Sequence, residues 1–191
     1  MIRESFPIKN RDKARKIMDI IILVFFIFNF IFICYLFDIE QLIVLDHSVV
    51  GTPGYIYPPW PPKFIVDLNH WVGQFDPALF ERPVWWRATI WIDVVFFGPF
   101  YAVATYAFIR GKNWIRMPSI IWASVMLTNV TVILFTEFVG YPYNPYWYVV
   151  VSANLLWILF PIFIFIRMAL YPNTFSGERI NLKKEQQKLE E

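Results

Sequence analysis

Four stretches of this chain are long and apolar enough to cross a bilayer, which takes roughly 20 apolar residues at 1.5 Å each. Residues 20–37, 117–136 and 146–166 carry no charge, and 88–109 carries only Asp93. With 58% hydrophobic and 20% aromatic residues in 191, one soluble core has no room for this much apolar surface. The fold class expected is an all-α membrane protein, a bundle of four transmembrane helices. Gly98, Pro99, Pro118 and Pro161 fall inside these runs, where membrane helices tolerate them. The basic stretch before the first run resembles a signal peptide. However, the run is too long for one and no small-residue cleavage motif follows, so it reads as a retained span.

Lys and Arg set the orientation. Six precede the first span (Arg3, Lys9, Arg11, Lys13, Arg15, Lys16) and three lie between spans two and three (Arg110, Lys112, Arg116). Five more follow the fourth (Arg167, Arg179, Lys183, Lys184, Lys188), against Lys63, Arg82 and Arg87 on the other side. Both termini are therefore expected in the cytoplasm. The expected division is a basic tail at 1–16, a membrane domain at 17–170 and a charged tail at 171–191. That last tail reads as a solvated helix or disorder.

The connection 38–87 lies on the non-cytoplasmic side. Tyr55-Ile-Tyr-Pro-Pro-Trp-Pro-Pro62 makes it rigid and aromatic. Pro62 is placed to start a helix whose Ile65, Leu68, Trp71, Val72 and Phe75 form an apolar stripe, expected to lie in the interface. Asp76-Pro77 reads as a cap and first-turn proline of a second short helix. Trp85, Trp86, Tyr141, Tyr143, Tyr146, Trp147 and Tyr148 read as an aromatic belt at the same surface.

A polar side chain in hydrocarbon is costly unless paired or hydrated, so it marks a candidate site. The candidates are Asn29, Asp38, Asp93, Asn129, Glu137 and Asn154, with Thr105, Thr128, Thr131, Thr136 and Ser152 weaker because hydroxyls bond back to their own helix. All but Asn29 fall in or border the non-cytoplasmic half, with Asp93 roughly 8 Å inside. A pocket in that leaflet explains them together. Asn154, Trp157 and Pro161 share a helix face, and Pro161 and Pro99 leave the carbonyls of Trp157 and Val95 without helical partners. The alternative is structural: Asp38 and Glu137 as exposed span ends, Asp93 and Asn154 as clasps between helices. Cys34 reads as a small buried residue.

Phe100-Tyr-Ala-Val-Ala-Thr-Tyr-Ala-Phe-Ile-Arg-Gly-Lys-Asn-Trp-Ile-Arg-Met-Pro-Ser-Ile-Ile121 and Asp76-Pro-Ala-Leu-Phe-Glu-Arg-Pro-Val-Trp-Trp86 resemble the sigma-2 receptor family of the EXPERA superfamily. Asp38 and Asp93 match that family's two membrane acids, with aspartate replacing glutamate at 93. Asn154-Leu-Leu-Trp157-Ile-Leu-Phe-Pro161 is similar to the last-helix motif of the related emopamil-binding protein, a sterol Δ8–Δ7 isomerase, and Gly98-Pro99 and Thr136-Glu137 have counterparts there. The isomerase's membrane histidine is missing, since His47 and His70 lie in the long connection. Ile90 stands where it has a glutamate.

The resemblance implies a membrane-embedded protein that binds a sterol or another amphiphilic lipid through Asp38, Asp93, Asn129, Asn154 and Trp157. It also implies the endoplasmic reticulum membrane, a role in sterol homeostasis and room for a homodimer. One alternative is a sterol or isoprenoid isomerase with Asp93 and Glu137 as acid and base and Trp157 facing the cation. Another is a helical assembly subunit whose polar residues only pack helices. Neither a nucleotide loop nor a metal-ligand cluster is visible, so no cofactor, metal or nucleic acid is expected.

Overall fold

The computed structural model describes residues 13–140, 144–170 and 175. Most of the basic N-terminal tail, Tyr141, Tyr143 and nearly all of the charged C-terminal tail lie outside the described residues. Those described form helices and loops with no strand. Four helical runs can cross a membrane by length and composition: span 1 (Lys16–Ile43), span 2 (Val84–Arg110), span 3 (Asn113–Val139) and span 4 (Trp147–Ala169). The chain is a multi-pass membrane bundle, and span 2 begins four residues before the sequence window. Asp93 therefore sits nine residues into its helix, roughly 13 Å rather than 8 Å along it.

Spans 1 and 2 are not uniform α-helices. Span 1 runs as α1 (Lys13–Phe28), a π-helical segment Asn29–Asp38 and α2 (Ile39–Ile43). The connection holds α3 (Lys63–Gly73) and α4 (Pro77–Glu81). Span 2 runs as α5 (Val84–Ile92), a π-helical segment Asp93–Phe97 and α6 (Gly98–Arg110). Spans 3 and 4 are α7 (Arg116–Val139) and α8 (Trp147–Leu170). The span 2 π segment ends where Pro99 supplies no N–H, so the wider register absorbs the missing bond. A side chain on Gly98 would meet the Tyr35 phenol at 2.9 Å, so the glycine lets spans 1 and 2 approach.

Span 1 packs along span 2 and span 3 along span 4. Away from the long connection the bundle is filled with rings: Phe25, Phe26, Phe97, Tyr101, Phe108 and Trp122 are buried. Phe100 stacks on Trp122 with centroids 5.3 Å apart. Each such ring pair adds ~0.5–1.5 kcal/mol beyond its buried area. Three rungs join spans 1 and 4: the buried Asp19–Arg167 ion pair, Phe25 stacked on Phe160 at 4.0 Å, and the Trp157 indole donating to Asn29 Oδ1 at 2.8 Å. Past the last rung the helices part around a cavity.

The connection folds over that end as a cap. Pro62 precedes α3, and Asp76 Oδ1 accepts from Leu79 N at 2.9 Å with Pro77 in the first turn, as the sequence suggested. The stripe behaves differently. Ile65, Val66, Asn69 and Gly73 are buried, Val72 faces the cavity, and Trp71 is 57% exposed. The helix is docked on the bundle, pinned by Asn69 Nδ2 donating to Phe37 O at 3.1 Å. Trp86 also departs from the belt: it is buried, and its indole donates to Gln41 Oε1 at 2.7 Å.

Candidate functional site

The cavity is about 270 Å³ and lies between the four spans under the cap. Span 1 contributes Phe32, Ile33, Phe37 and Asp38; span 2 contributes Trp86, Ile90 and Asp93. Span 3 contributes Met126, Asn129, Val130 and Ile133; span 4 contributes Ala153, Asn154 and Trp157. The cap closes it with Val72, Asp76 and Leu79. The walls are apolar and aromatic, with a few converging polar groups, the usual make-up of a small-molecule site.

Asp38 ends one π segment and Asp93 begins the other. Single π turns inside α-helices, such as the five-residue segment of span 2, collect at functional sites. Here they bring Asp38 of span 1 and Asp93 of span 2 into one chamber. Asp93 Oδ1 accepts from Asn129 Nδ2 at 3.5 Å, and Cys34 Sγ donates to the Asp93 carbonyl at 3.4 Å, tying the π segments together. Asp38 Oδ1 accepts from Gln41 Nε2 at 3.3 Å. Its other oxygen, Oδ2, is buried without a hydrogen-bond partner. No basic side chain among the described residues pairs with either acid. A third carboxyl, Asp76, lines the chamber from the cap and accepts from Leu79 N, whereas Asp38 and Asp93 lie in the spans without a counter-charge, an arrangement that attracts a cation from outside.

The remaining candidates separate. Asn129 is buried against Asp93. Asn154 lines the cavity but donates to the Val150 carbonyl of its own helix at 2.9 Å, not to another span. Trp157 lines the cavity with its ring fixed by Asn29, the one candidate placed outside the non-cytoplasmic half. Glu137 is no cavity residue: it is buried and accepts a hydrogen bond from Asn144 Nδ2, which also donates to Phe75 O at 3.1 Å. Asp38 and Glu137 are 4% and 3% exposed, so neither is the exposed span end that the structural alternative supposes. The weaker Thr128, Thr131, Thr136 and Ser152 hydroxyls each donate to the carbonyl four residues back.

A group that sequence reasoning did not single out sits in the cap. Arg82 is 3% exposed and Glu40 is fully buried, with Arg82 Nη2 2.6 Å from Glu40 Oε2. Arg82 also donates through Nε to Leu79 O at 3.2 Å, through Nη1 to Glu40 O at 3.3 Å and to Val44 O. Its Nη2 meets His47 Nε2, which lies 3.1 Å from Glu40 Oε1, and the His47 ring stacks on His70 with centroids 5.8 Å apart. Burial pulls the Arg82 guanidinium below its ordinary value while Glu40 pushes it back up.

Asp76 gives the cap a pH signature. Burial raises its carboxyl to about 7, opposed by the Leu79 N–H bond and reinforced by the negative charge of Glu137. A carboxyl whose value is raised on folding adds stability below its unfolded value, near 4, and that stability is lost as pH rises through about 7. The protein is therefore expected to melt higher at pH 5 than at pH 8, with Asp76 contributing on the order of 3 kcal/mol. Asparagine caps a helix as well as aspartate, so Asp76→Asn should melt with that pH increment removed. An unchanged increment would show that Asp76 does not carry it.

With four spanning helices around an acid-lined cavity, comparison with known sequences is informative. Residues 66–168 match the EXPERA (expanded EBP superfamily) model, and the chain belongs to this family. Among individual relatives, sigma intracellular receptor 2 from Macaca fascicularis is 38% identical over 79 residues, covering 40% of this chain and 45% of that protein. The Homo sapiens protein of the same name gives the same figures. The Xenopus tropicalis one is 30% identical over 117 residues, 58% of this chain and 66% of that protein. The match thus spans less than half the length of the two mammalian relatives.

Proposed function

We propose that this membrane protein is a non-catalytic receptor for amphiphiles, resembling the sigma-2 receptor. It takes a sterol, another polar-headed lipid or a cationic amphiphile into the capped cavity. The observation that carries this reading is the pair Asp38 and Asp93 in one apolar chamber, with a buried Asp38 oxygen unpartnered and no basic side chain opposite among the described residues. A ligand's ammonium supplies the missing charge and a hydroxyl supplies the missing donor. Asn129 orients Asp93, and the aromatic walls take the ligand's hydrocarbon. Asn154 and Trp157 form the far wall. The resemblance carries with it a setting in sterol homeostasis, the endoplasmic reticulum membrane and pairing with a second copy, and the distribution of Lys and Arg puts both termini in the cytoplasm.

Binding is favoured over isomerisation because the acid–base pair does not converge. Glu137 is bonded to Asn144, and His47 and His70 stand in the cap. An alkene isomerase needs one group to give a proton and another to take one at the same substrate. Photolabelling purified protein with a diazirine-bearing amphiphilic amine tests the location. Adducts are expected on cavity residues such as Ile90, Met126 and Ile133, and unlabelled amine should compete them away. Adducts confined to outward residues such as Phe135 and Leu159 would refute the site.

A further inference from the structure

Arg82 is the C-cap of α4 and has φ 50° and ψ 54°, the left-handed region that glycine normally fills. For a residue with a long side chain this conformation is uncommon and is retained only where surroundings over-determine it. Those surroundings are the five donor contacts already described, all within the cap and the last turn of span 1. Plain C-capping needs no arginine, so the side chain is there to hold something.

What it holds is the turn that carries Asp38. Glu40 and Gln41 are the second and third residues after Asp38; Glu40 receives a tether from the end of α4 and Gln41 one from the start of span 2. Arg82 binds the Glu40 carboxylate and carbonyl, and Trp86 donates to Gln41, which in turn donates to Asp38. One π turn lower, Cys34 bonds the Asp93 carbonyl. The end of span 1 is thus fixed to span 2 on both sides of the carboxyl pair.

We propose that Arg82 is a positioning residue for the ligand site: through Glu40 it fixes the last turn of span 1, so that Asp38 and Asp93 face one ligand cation together. This rests on the receptor reading above, and it adds a requirement for geometry that the carboxyls alone do not impose. His47 is part of the same seat, since its Nε2 abuts both Arg82 and Glu40.

The test uses the full-length protein and two probes, an amphiphilic amine and its uncharged isostere, so that positioning and general integrity give different answers. Removing the pair together, Glu40→Leu with Arg82→Met, leaves no unpaired buried charge and keeps the fold. The amine is expected to lose roughly tenfold in affinity while the isostere stays within about twofold, because only the charged contact depends on where Asp38 points. Arg82→Lys, which keeps the charge but not the fork, should recover part of the amine's affinity. Equal losses for both probes, or no loss for either, overturn the proposal. Failure of the receptor reading looks different: the unaltered protein would bind both probes equally.

Discussion

Asp93→Asn is expected to weaken binding of an amphiphilic amine by at least about tenfold and to leave binding of its uncharged isostere nearly intact. A charge-assisted bond to a desolvated carboxylate contributes ~1.5–3 kcal/mol, and every 1.4 kcal/mol is a factor of ten. Asparagine keeps the shape of aspartate and can still accept from Asn129 Nδ2, so the bundle has no reason to rearrange. Asp38→Asn should act in the same direction. The double variant should lose less than the two single losses added, because residues serving one bound cation are not independent. A titration of both probes against the three variants checks this. An unchanged amine affinity in Asp93→Asn would remove that carboxyl from the site.

The second large effect is on stability. Arg82→Met leaves the Glu40 carboxylate fully buried with its cation gone, and Glu40→Leu strands the Arg82 guanidinium equally. Breaking a buried pair from one side costs ~3–5 kcal/mol, whereas replacing both partners with apolar groups is often neutral. Each single variant is therefore expected to melt far below the parent in detergent, and Glu40→Leu/Arg82→Met close to it. A double variant that loses the sum of the two would mean the residues act apart, and the pair would not be the unit that holds the cap.

These features differ in how readily the sequence discloses them. The spans were legible because a bilayer demands long apolar runs, and Asp76-Pro77 because helix caps are local. Span 2 was placed too late because Val84–Arg87 includes a charge that a window of pure hydrocarbon leaves out. Side-chain partnerships across helices were harder. The ten-residue π segment of span 1 changes the phase of every residue after Phe28, so a 3.6-residue period cannot say what Asp38 faces. Asn154 and Trp157 lie on regular α8, and there the shared face read from spacing and the shared cavity wall agree.

The cap was nearly silent. Glu40 and Arg82 are 42 positions apart, and in the sequence each reads as a solvated loop charge. One sign was available: α4 ends at an arginine followed by Pro83, with no glycine at the turn. Glu137 reads as a site residue because it closes an apolar span, but Asn144, seven positions on, claims it. The stripe on α3 reads as interfacial because a dry cap and a membrane surface demand the same apolar pattern.

A bundle held by packing alone could have the same helices, aromatic fill and buried cap. It would have no reason to prefer one headgroup over another. Equilibrium binding of the amphiphilic amine and its uncharged isostere to the unaltered protein therefore bears most directly on the chamber's purpose. Tighter binding of the amine by a factor of ten or more is the expected result. Equal affinities, or no saturable binding of either, would contradict a site built around Asp38 and Asp93.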